Sequence, residues 1–453
     1  MVISLLLVLA LSIVGIALLV TPPTPATAGE AGTLLRLDPS QVRSIRVAPA
    51  GSDRATTITR TDAGGWTIHI EDNGARITAP WPAQPTSVRA IVRTLSDLRD
   101  ATGDDGGKLQ TIDPALVVTI TLARGSEHTI RFDAAALGGR RLIEVDALRT
   151  GEIDDDVFRA LTSPGPASWR VRSPLASVGE RTSRVSIRAP GQGPGVELAR
   201  LDGRWFLRQP IQSRADDNAA TALLQSLASL TIERFIDDPA TIAESETGLA
   251  TPRLTCRVEE DRRTIDPADG QVRTSTRSQT LSIGGPADLS GRLVYAGVND
   301  GQALVIINIE PIESVSLDGE AYLSPVAAQT ISQNIGAIAV RIAGQPEARY
   351  ERGIDQWRLL DATGATIGDA PAGPITALVT ALTDSPATGM TIEAPDSYRP
   401  IASMTLFDFR GGPLETIEAG RLDDGQLVLR SGQVFRTYEG LETPGLLDPS
   451  GRR

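Results

Sequence analysis

Few side chains in this sequence have the type and the neighbours needed for chemistry. His69 and His128 lie in segments of alternating apolar and polar residues, with no other histidine or cysteine near either one. A histidine acts as a general base or metal ligand only with suitable partners around it, so we interpret both as solvent-facing strand residues. Cys256 is the only cysteine, which excludes an intramolecular disulfide and a thiolate metal site. We interpret it as a small core residue.

Two glycine-rich segments are superficially similar to nucleotide-binding loops. The G-x-G-x-G of residues 191–195 is interrupted by Pro194 and joins two predicted strands, whereas a dinucleotide site opens a helix. In the segment 103–109, Lys108 is followed by Leu109, where a phosphate loop needs Ser or Thr to hold magnesium. We therefore interpret the first segment as a hairpin loop and predict no cofactor at either segment.

Three acidic clusters carry no metal-site spacing. Residues 154–156 are three aspartates directly before the apolar VFRAL, where negative charge favours the start of a short helix. Residues 423–425 form an Asp-Asp-Gly turn, and the polar loop 266–270 lacks the ligand spacing and final glutamate of a calcium-binding hand. We predict no catalytic, cofactor-binding or metal-ligating residue in this chain.

The overall charge argues against nucleic acid as a partner. The 453 residues contain 44 Lys plus Arg against 56 Asp plus Glu, a net charge of −12. Binding to the phosphate backbone needs basic faces, which this balance does not favour.

The elements that must position these residues recur three times along the chain. Each recurrence has a tryptophan on a predicted strand, then a helix, then a proline that opens a later strand. The tryptophans are Trp66, Trp205 and Trp357, and the prolines are Pro114, Pro252 and Pro400. The intervals are 114 − 66 = 48, 252 − 205 = 47 and 400 − 357 = 43 residues, which indicates three related modules in tandem.

Each module is predicted to contain one main helix and several strands. Apolar residues at helical spacing predict helices that begin near residues 87, 217 and 374. Alternating segments such as 42–47 and 65–70 predict antiparallel strands with one face on a core and one in water. Turn residues such as Asn-Gly join them. We predict three α+β modules, each a mostly antiparallel β-sheet packed on one main α-helix.

The N-terminus predicts a membrane anchor. Residues 2–20 carry no charge and approach the ~20 residues that cross a bilayer. A cleaved export signal is the alternative, because Ala26-Thr27-Ala28 resembles a cleavage site, but the apolar run is long for a signal and no cation precedes it. We expect a retained single-pass helix in the bacterial cell membrane, with the modules outside the cytoplasm, on the periplasmic side.

The predicted organisation has four parts. Residues 1–32 form the transmembrane anchor and a Pro/Thr-rich linker, and 33–172, 173–324 and 325–453 form the three modules. The two later boundaries rest on similar Ser-Pro segments that precede the first strand of the second and third modules, at residues 173–176 and 324–327.

The middle module supports a resemblance to a known family. It contains GRWFLRQP from Gly203, the helix segment RADDNAATALLQSLASL and the strand entry TGLATPRLTCRV. These residues resemble a repeated domain of unknown function in membrane-anchored exported proteins associated with gliding-motility-type ABC transporters. The likeness is strongest over residues 184–258. Trp66 and Trp357 depart from the pattern, because neither has a proline five residues further on.

The resemblance implies an accessory protein of an ABC export system and transfers no catalytic residue. Our main hypothesis is a non-enzymatic protein that binds a partner, such as the transporter's membrane subunit, another envelope protein or a polymeric cargo. One alternative is a hydrolase whose carboxylates converge from different modules. A second is an envelope protein that recognises glycans or peptides by strand edges.

Overall fold

Segments of alternating apolar and polar residues form antiparallel strands along much of the chain. The computed structural model describes residues 32–101, 112–191, 193–265, 270–361 and 363–440, together with residues 444 and 447. Two units can be separated, residues 1–171 and 172–453, and each is described by itself.

The first unit contains one large sheet and one small one. Its strands are β1 Thr33–Arg36, β2 Val42–Pro49, β3 Ala55–Arg60, β4 Trp66–Asp72, β5 Ala75–Arg76, β6 Trp81–Pro82, β7 Asp97–Arg99, β8 Pro114–Leu122, β9 Glu127–Leu137, β10 Arg140–Val145 and β11 Arg149–Asp154. Its helices are α1 Pro85–Ser96 and α2 Asp155–Thr162. The large sheet has the order β11-β10-β9-β8-β2-β3-β4-β5, with β6 also paired to β4, while β1 pairs with β7.

The second unit contains two large sheets. The strands of the first are β12 Thr182–Arg188, β13 Val196–Leu201, β14 Arg204–Gln209, β15 Ser213–Arg214, β16 Ile232–Ile236, β17 Leu254–Ile265, β18 Val272–Pro286, β19 Leu293–Val298 and β20 Ala303–Asn308. Helices α3 Asp217–Ala228 and α4 Glu244–Thr247 lie between them in sequence. The strand order is β15-β14-β13-β12-β17-β18-β19-β20-β16.

The last sheet has an equivalent order. Its strands are β21 Ala337–Ile342, β22 Ala348–Arg352, β23 Trp357–Leu360, β24 Thr366–Asp369, β25 Gly389–Thr391, β26 Arg399–Phe407, β27 Pro413–Arg421, β28 Leu427–Ser431 and β29 Val434–Tyr438, with helix α5 Ala372–Thr383. The order is β24-β23-β22-β21-β26-β27-β28-β29-β25.

The three large sheets share the order of eight strands, which confirms the predicted repeat, but β16 and β25 join the edges of their sheets whereas the corresponding β7 pairs with β1. The tryptophans that mark it lie on the equivalent strands β4, β14 and β23, and the helix that follows begins at Pro85, Asp217 or Ala372. In the first module α1 places Val88, Ile91 and Leu95 in one buried cluster with the sheet. The predicted module boundaries at 172 and 324 stay predictions.

The predicted fold class, α+β modules each backed by one main helix behind a transmembrane helix, is wrong. Strands make up 46% of the structure and helices 17%. The strands form four antiparallel sheets, so the protein is mostly β. The main helices have 12 residues each. A helix of that length is about 18 Å long, whereas nine strands extend about 40 Å across a sheet, so one helix covers only part of it.

The expectation of a single-pass membrane protein also needs correction. Its anchor, residues 2–20, lies outside the described residues. Within the described part of the chain, no helix is long and apolar enough to cross a bilayer, so the structure does not support the predicted membrane location.

Candidate functional site

The structure places His69 inside the first unit, and the prediction that it faces solvent is wrong. His69 is 4% exposed, and its Nε2 lies 2.8 Å from Glu71 Oε1. Burial raises the pKa of Glu71, but hydrogen bonds from His69 and Arg46 outweigh it, so the pKa lies below its usual range. Thr57 Oγ1 and His69 Nδ1 are both buried without a hydrogen-bond partner, so neither atom is open to a substrate.

His128 contacts the turn between β10 and β11 through Asp146. Its Nδ1 lies 2.8 Å from Asp146 Oδ2, and Asp146 Oδ1 accepts a hydrogen bond from the Thr129 backbone N–H at 2.8 Å. Asp146 and Ala147 both have a φ of 54°, the left-handed conformation that a tight turn between β10 and β11 requires. The imidazole therefore stabilises the backbone conformation of this turn.

Cys256 and the glycine motif have the structural roles that we interpreted from the sequence. Cys256 is fully buried on β17, and burial raises the pKa of its thiol to about 12, which keeps it protonated and unreactive. Gly191, Gly193 and Gly195 lie between β12 and β13, all with positive φ. At Gly195 a Cβ would lie 2.4 Å from the Ile187 carbonyl oxygen, so the hairpin needs glycine there.

The aspartates of residues 154–156 begin α2, but the contacts differ from a simple cap. Asp154, at the N-cap, makes no side-chain capping hydrogen bond. Asp155 instead accepts from Arg141 Nε at 2.7 Å and from Arg159 Nε at 2.9 Å. The hydrogen bond from Arg141 is the largest contribution that lowers the pKa of Asp155. Arg141 also lies 3.6 Å over the ring of Phe158.

A second buried charged cluster, missed by sequence reasoning, lies in the second unit. We call it the joint cluster and define it by Arg214, Glu415, Arg436 and Tyr438. Arg436, on β29, is 0% exposed; its Nε donates to the Ser324 carbonyl oxygen at 2.9 Å and its Nη2 to Ser213 Oγ at 3.3 Å. The guanidinium thus joins β29 of one sheet to β15 of the other.

Burial dominates the electrostatics of the joint cluster. It lowers the pKa of Arg436 to about 10 and raises the pKa of Tyr438 to about 12. It also raises the pKa of Glu415, although Glu415 accepts backbone N–H groups of residues 329 and 330, each at 3.0 Å. The cluster holds one carboxylate where a two-carboxylate hydrolase needs two, and Arg436 has no path to solvent. We interpret the cluster as a structural joint.

Two grooves lie beside the repeated helices. One, of about 420 Å³, is lined by α1, α2 and Trp169. The other, of about 290 Å³, is lined by α3, Trp205, Glu180 and Arg200. Ligand sites have similar volumes. Each of these grooves has a single carboxylate, whereas a two-carboxylate hydrolase needs two. Within the described residues, no three His, Cys, Asp or Glu side chains are grouped to hold a metal.

The most prominent surface feature is a hairpin that projects from the middle sheet. Strands β17 and β18 pair from Leu254↔Ile283 to Ile265↔Val272. The pairing of β17 with β12 ends at Glu260, and the pairing of β18 with β19 ends at Leu281. Residues 261–265 and 272–278 therefore extend beyond the sheet, and all of them are exposed. We call these residues the ribbon.

Sequence reasoning missed the ribbon because its faces are polar. On the core side, alternate residues of β17 change from Cys256 and Val258 to Glu260 and Arg262. On β18 the same side changes from Leu281 to Arg277. The loss of apolar alternation signalled the end of each predicted strand, although the two strands continue by pairing with each other.

Residues 78–252 and 205–390 each match a domain of unknown function (DUF4340). The chain belongs to this family. Both matches include the segment 205–252, which contains Trp205 and α3.

The two DUF4340 matches confirm the expected repeated domain of unknown function. Each includes the main helix of one module and the main helix of the next, so each covers parts of two sheets. No curated protein matches the chain.

Proposed function

We propose that this DUF4340 protein is a non-enzymatic binding protein that acts as an accessory component of an ABC-type transport system. The partner is the transporter's membrane subunit or another envelope protein. The observation that carries the proposal is the ribbon, an exposed pair of strands for which the described chain supplies no neighbouring strand.

The contrast between the interior and the surface supports binding over catalysis. His69, His128 and Cys256 are engaged in local contacts or buried, and the joint cluster is closed. The ribbon, in contrast, presents backbone groups and arginines to solvent. Strand edges of this kind bind other chains by adding a strand. The resemblance of the middle module adds the association with ABC transport.

Peptide recognition is the alternative that a specific observation favours. The open edge of the ribbon suits an extended peptide, whether the peptide belongs to the transporter or to a cargo. The hydrolase alternative lacks such support, because neither described groove nor the joint cluster brings two carboxylates together.

Affinity capture from cells tests the proposal. The full-length chain should enrich an ABC transporter subunit, identified by mass spectrometry, and His128→Ala should enrich it equally. Trp205→Ala is the matched loss-of-fold control, because truncating this buried indole costs roughly 3 to 5 kcal/mol. The proposal is contradicted if no transporter subunit is enriched, or if His128→Ala remains folded but loses function in the cell.

A further inference from the structure

We infer that the ribbon binds an acidic, extended segment of a partner protein as an added strand along the outer edge of β18. This inference deepens the proposed function by naming the chemistry of the partner. It rests on the direction of the backbone groups of β18, on the arginines of one face and on the length of the open edge.

The backbone directions follow from a contact at the base of the ribbon. Thr280 exchanges hydrogen bonds with Asn299 on the β19 side: its N–H donates to Asn299 Oδ1 at 3.3 Å, and its carbonyl accepts from the Asn299 N–H at 2.8 Å. In an antiparallel strand, alternate residues direct both backbone groups to the same edge. Val272, Thr274, Thr276 and Ser278 therefore direct theirs to the outer edge, beyond the end of β19.

The two arginines of β18 lie on one face of that edge, and Arg277 is opposite Glu260 of β17. Arg273, Ser275 and Arg277 alternate along β18 on the side that continues the core face, and Arg262 lies on the same side of β17. A strand added next to β18 would place its own alternate side chains opposite Arg273 and Arg277. Carboxylates four residues apart in the partner would then form cross-strand pairs with both arginines.

The same charges disfavour a second copy of this chain as the occupant. Antiparallel pairing of two β18 edges centred on Ser275 would place Arg273 of one copy opposite Arg277 of the other. Like charges directly opposite each other are destabilising. Arginines on an edge strand also protect it from aggregation. A shorter hairpin that did not extend beyond the sheet would be enough for protection alone.

Binding of a labelled peptide to the purified full-length chain tests the inference. The probe is an extended ten-residue Thr/Val peptide with glutamates at positions i and i+4, and its control has lysines at those positions. Fluorescence anisotropy should show binding of the glutamate probe alone, weakened by salt. Arg277→Glu should weaken it about tenfold, while Arg263→Glu, an equal charge change on the opposite face, should change it less than about twofold.

A proline substitution tests strand addition separately from charge. Thr276→Pro removes one outward N–H and should weaken binding of the glutamate probe, whereas Thr276→Ala should leave that binding unchanged. The charge-reversed variant Arg273→Glu/Arg277→Glu should bind the lysine probe. Circular dichroism checks that each variant is folded. Equal effects of Arg277→Glu and Arg263→Glu, no effect of Thr276→Pro, or no binding of the glutamate probe would overturn the inference.

Capture from cells separates this inference from the proposed function. If the wild-type chain and Arg273→Glu/Arg277→Glu enrich the same transporter subunit equally, partner binding stands and the ribbon site is overturned. If neither enriches a subunit while the glutamate probe binds as expected, the ribbon site stands and the proposed function fails.

Discussion

At the scale of single residues, the buried arginines Arg141 and Arg436 are satisfied to different extents. Arg141 contacts a carboxylate, two carbonyl groups and an aromatic ring. Arg436 has two hydrogen-bond acceptors, and its Nη1 is buried without one. A buried guanidinium is costly unless its donors are matched, so Arg436 depends strongly on the surrounding joint cluster.

Truncation of Arg436 should therefore destabilise the second unit. Arg436→Ala removes one of the two arginine charges that act on the buried Glu415 and leaves the Ser324 carbonyl without its donor, so we expect a loss of about 3 kcal/mol in unfolding free energy. Arg430→Ala is the matched control on the neighbouring strand, where an exposed pair with Glu418 is worth about 0 to 1 kcal/mol. Urea denaturation measures both, and equal losses would contradict the assigned role.

The Asp155 carboxylate should make the first unit sensitive to acid. Its pKa is lowered in the folded state, chiefly by the hydrogen bond from Arg141, so its stabilising contribution is present above the unfolded-state pKa, near 3.8, and is lost as pH falls below it. The stability advantage of the wild type over Asp155→Asn should be constant near neutral pH and shrink below about pH 4. Urea denaturation from pH 7 to 3 checks this, and an unchanged difference would contradict it.

At the scale of secondary-structure elements, the three main helices begin differently although their positions were predictable. Asp216 caps α3, and its Oδ1 accepts from the backbone N–H groups of Asn218 at 2.7 Å and Ala219 at 3.4 Å. The N-cap residues of α1 and α5, Gln84 and Pro371, make no side-chain capping bond. Packing of the apolar face against the sheet must therefore hold α1 and α5 in place.

Removal of the α3 cap should have a measurable cost. Asp216→Ala should destabilise the protein by about 1 kcal/mol, because two backbone N–H groups lose their acceptor. Asp154→Ala provides a control at the N-cap of α2, where no capping bond exists, and should cost less than about 0.5 kcal/mol. Thermal and urea unfolding compare the two, and a larger effect at Asp154 would show that helix-dipole charge outweighs capping here.

At the scale of the whole molecule, the second unit contains two sheets that share buried contacts. Arg436 reaches Ser213 and Ser324, and Arg214 Nη1 reaches the Ala328 carbonyl oxygen at 3.4 Å. Ala215 also forms an isolated bridge with Leu323. These contacts connect segments far apart in sequence, so the two sheets should not unfold independently.

The fragment 172–453 should fold by itself and unfold in one transition. We expect coincident urea curves from tryptophan fluorescence and circular dichroism, since the joint cluster couples the sheets. The shorter fragment 325–453 lacks Ser213, Arg214 and Ser324, so Arg436 has no acceptors in it. We expect this fragment to be less stable than the fragment 172–453. Two separate transitions in the longer fragment would contradict this coupling.

Local spacing in the sequence was enough to predict the repeat, the starts of its helices and many of its strands. Trp205, the helix from Asp217 and the hairpin at Gly195 followed from rules that involve only nearby residues. The tertiary structure alone showed the buried His69, the joint around Arg436 and the paired strands of the ribbon. The joint connects residues far apart in the chain, and the ribbon depends on the pairing of two polar strands with each other. An arginine or histidine in an alternating strand looks the same in sequence whether its outer face meets water or protein.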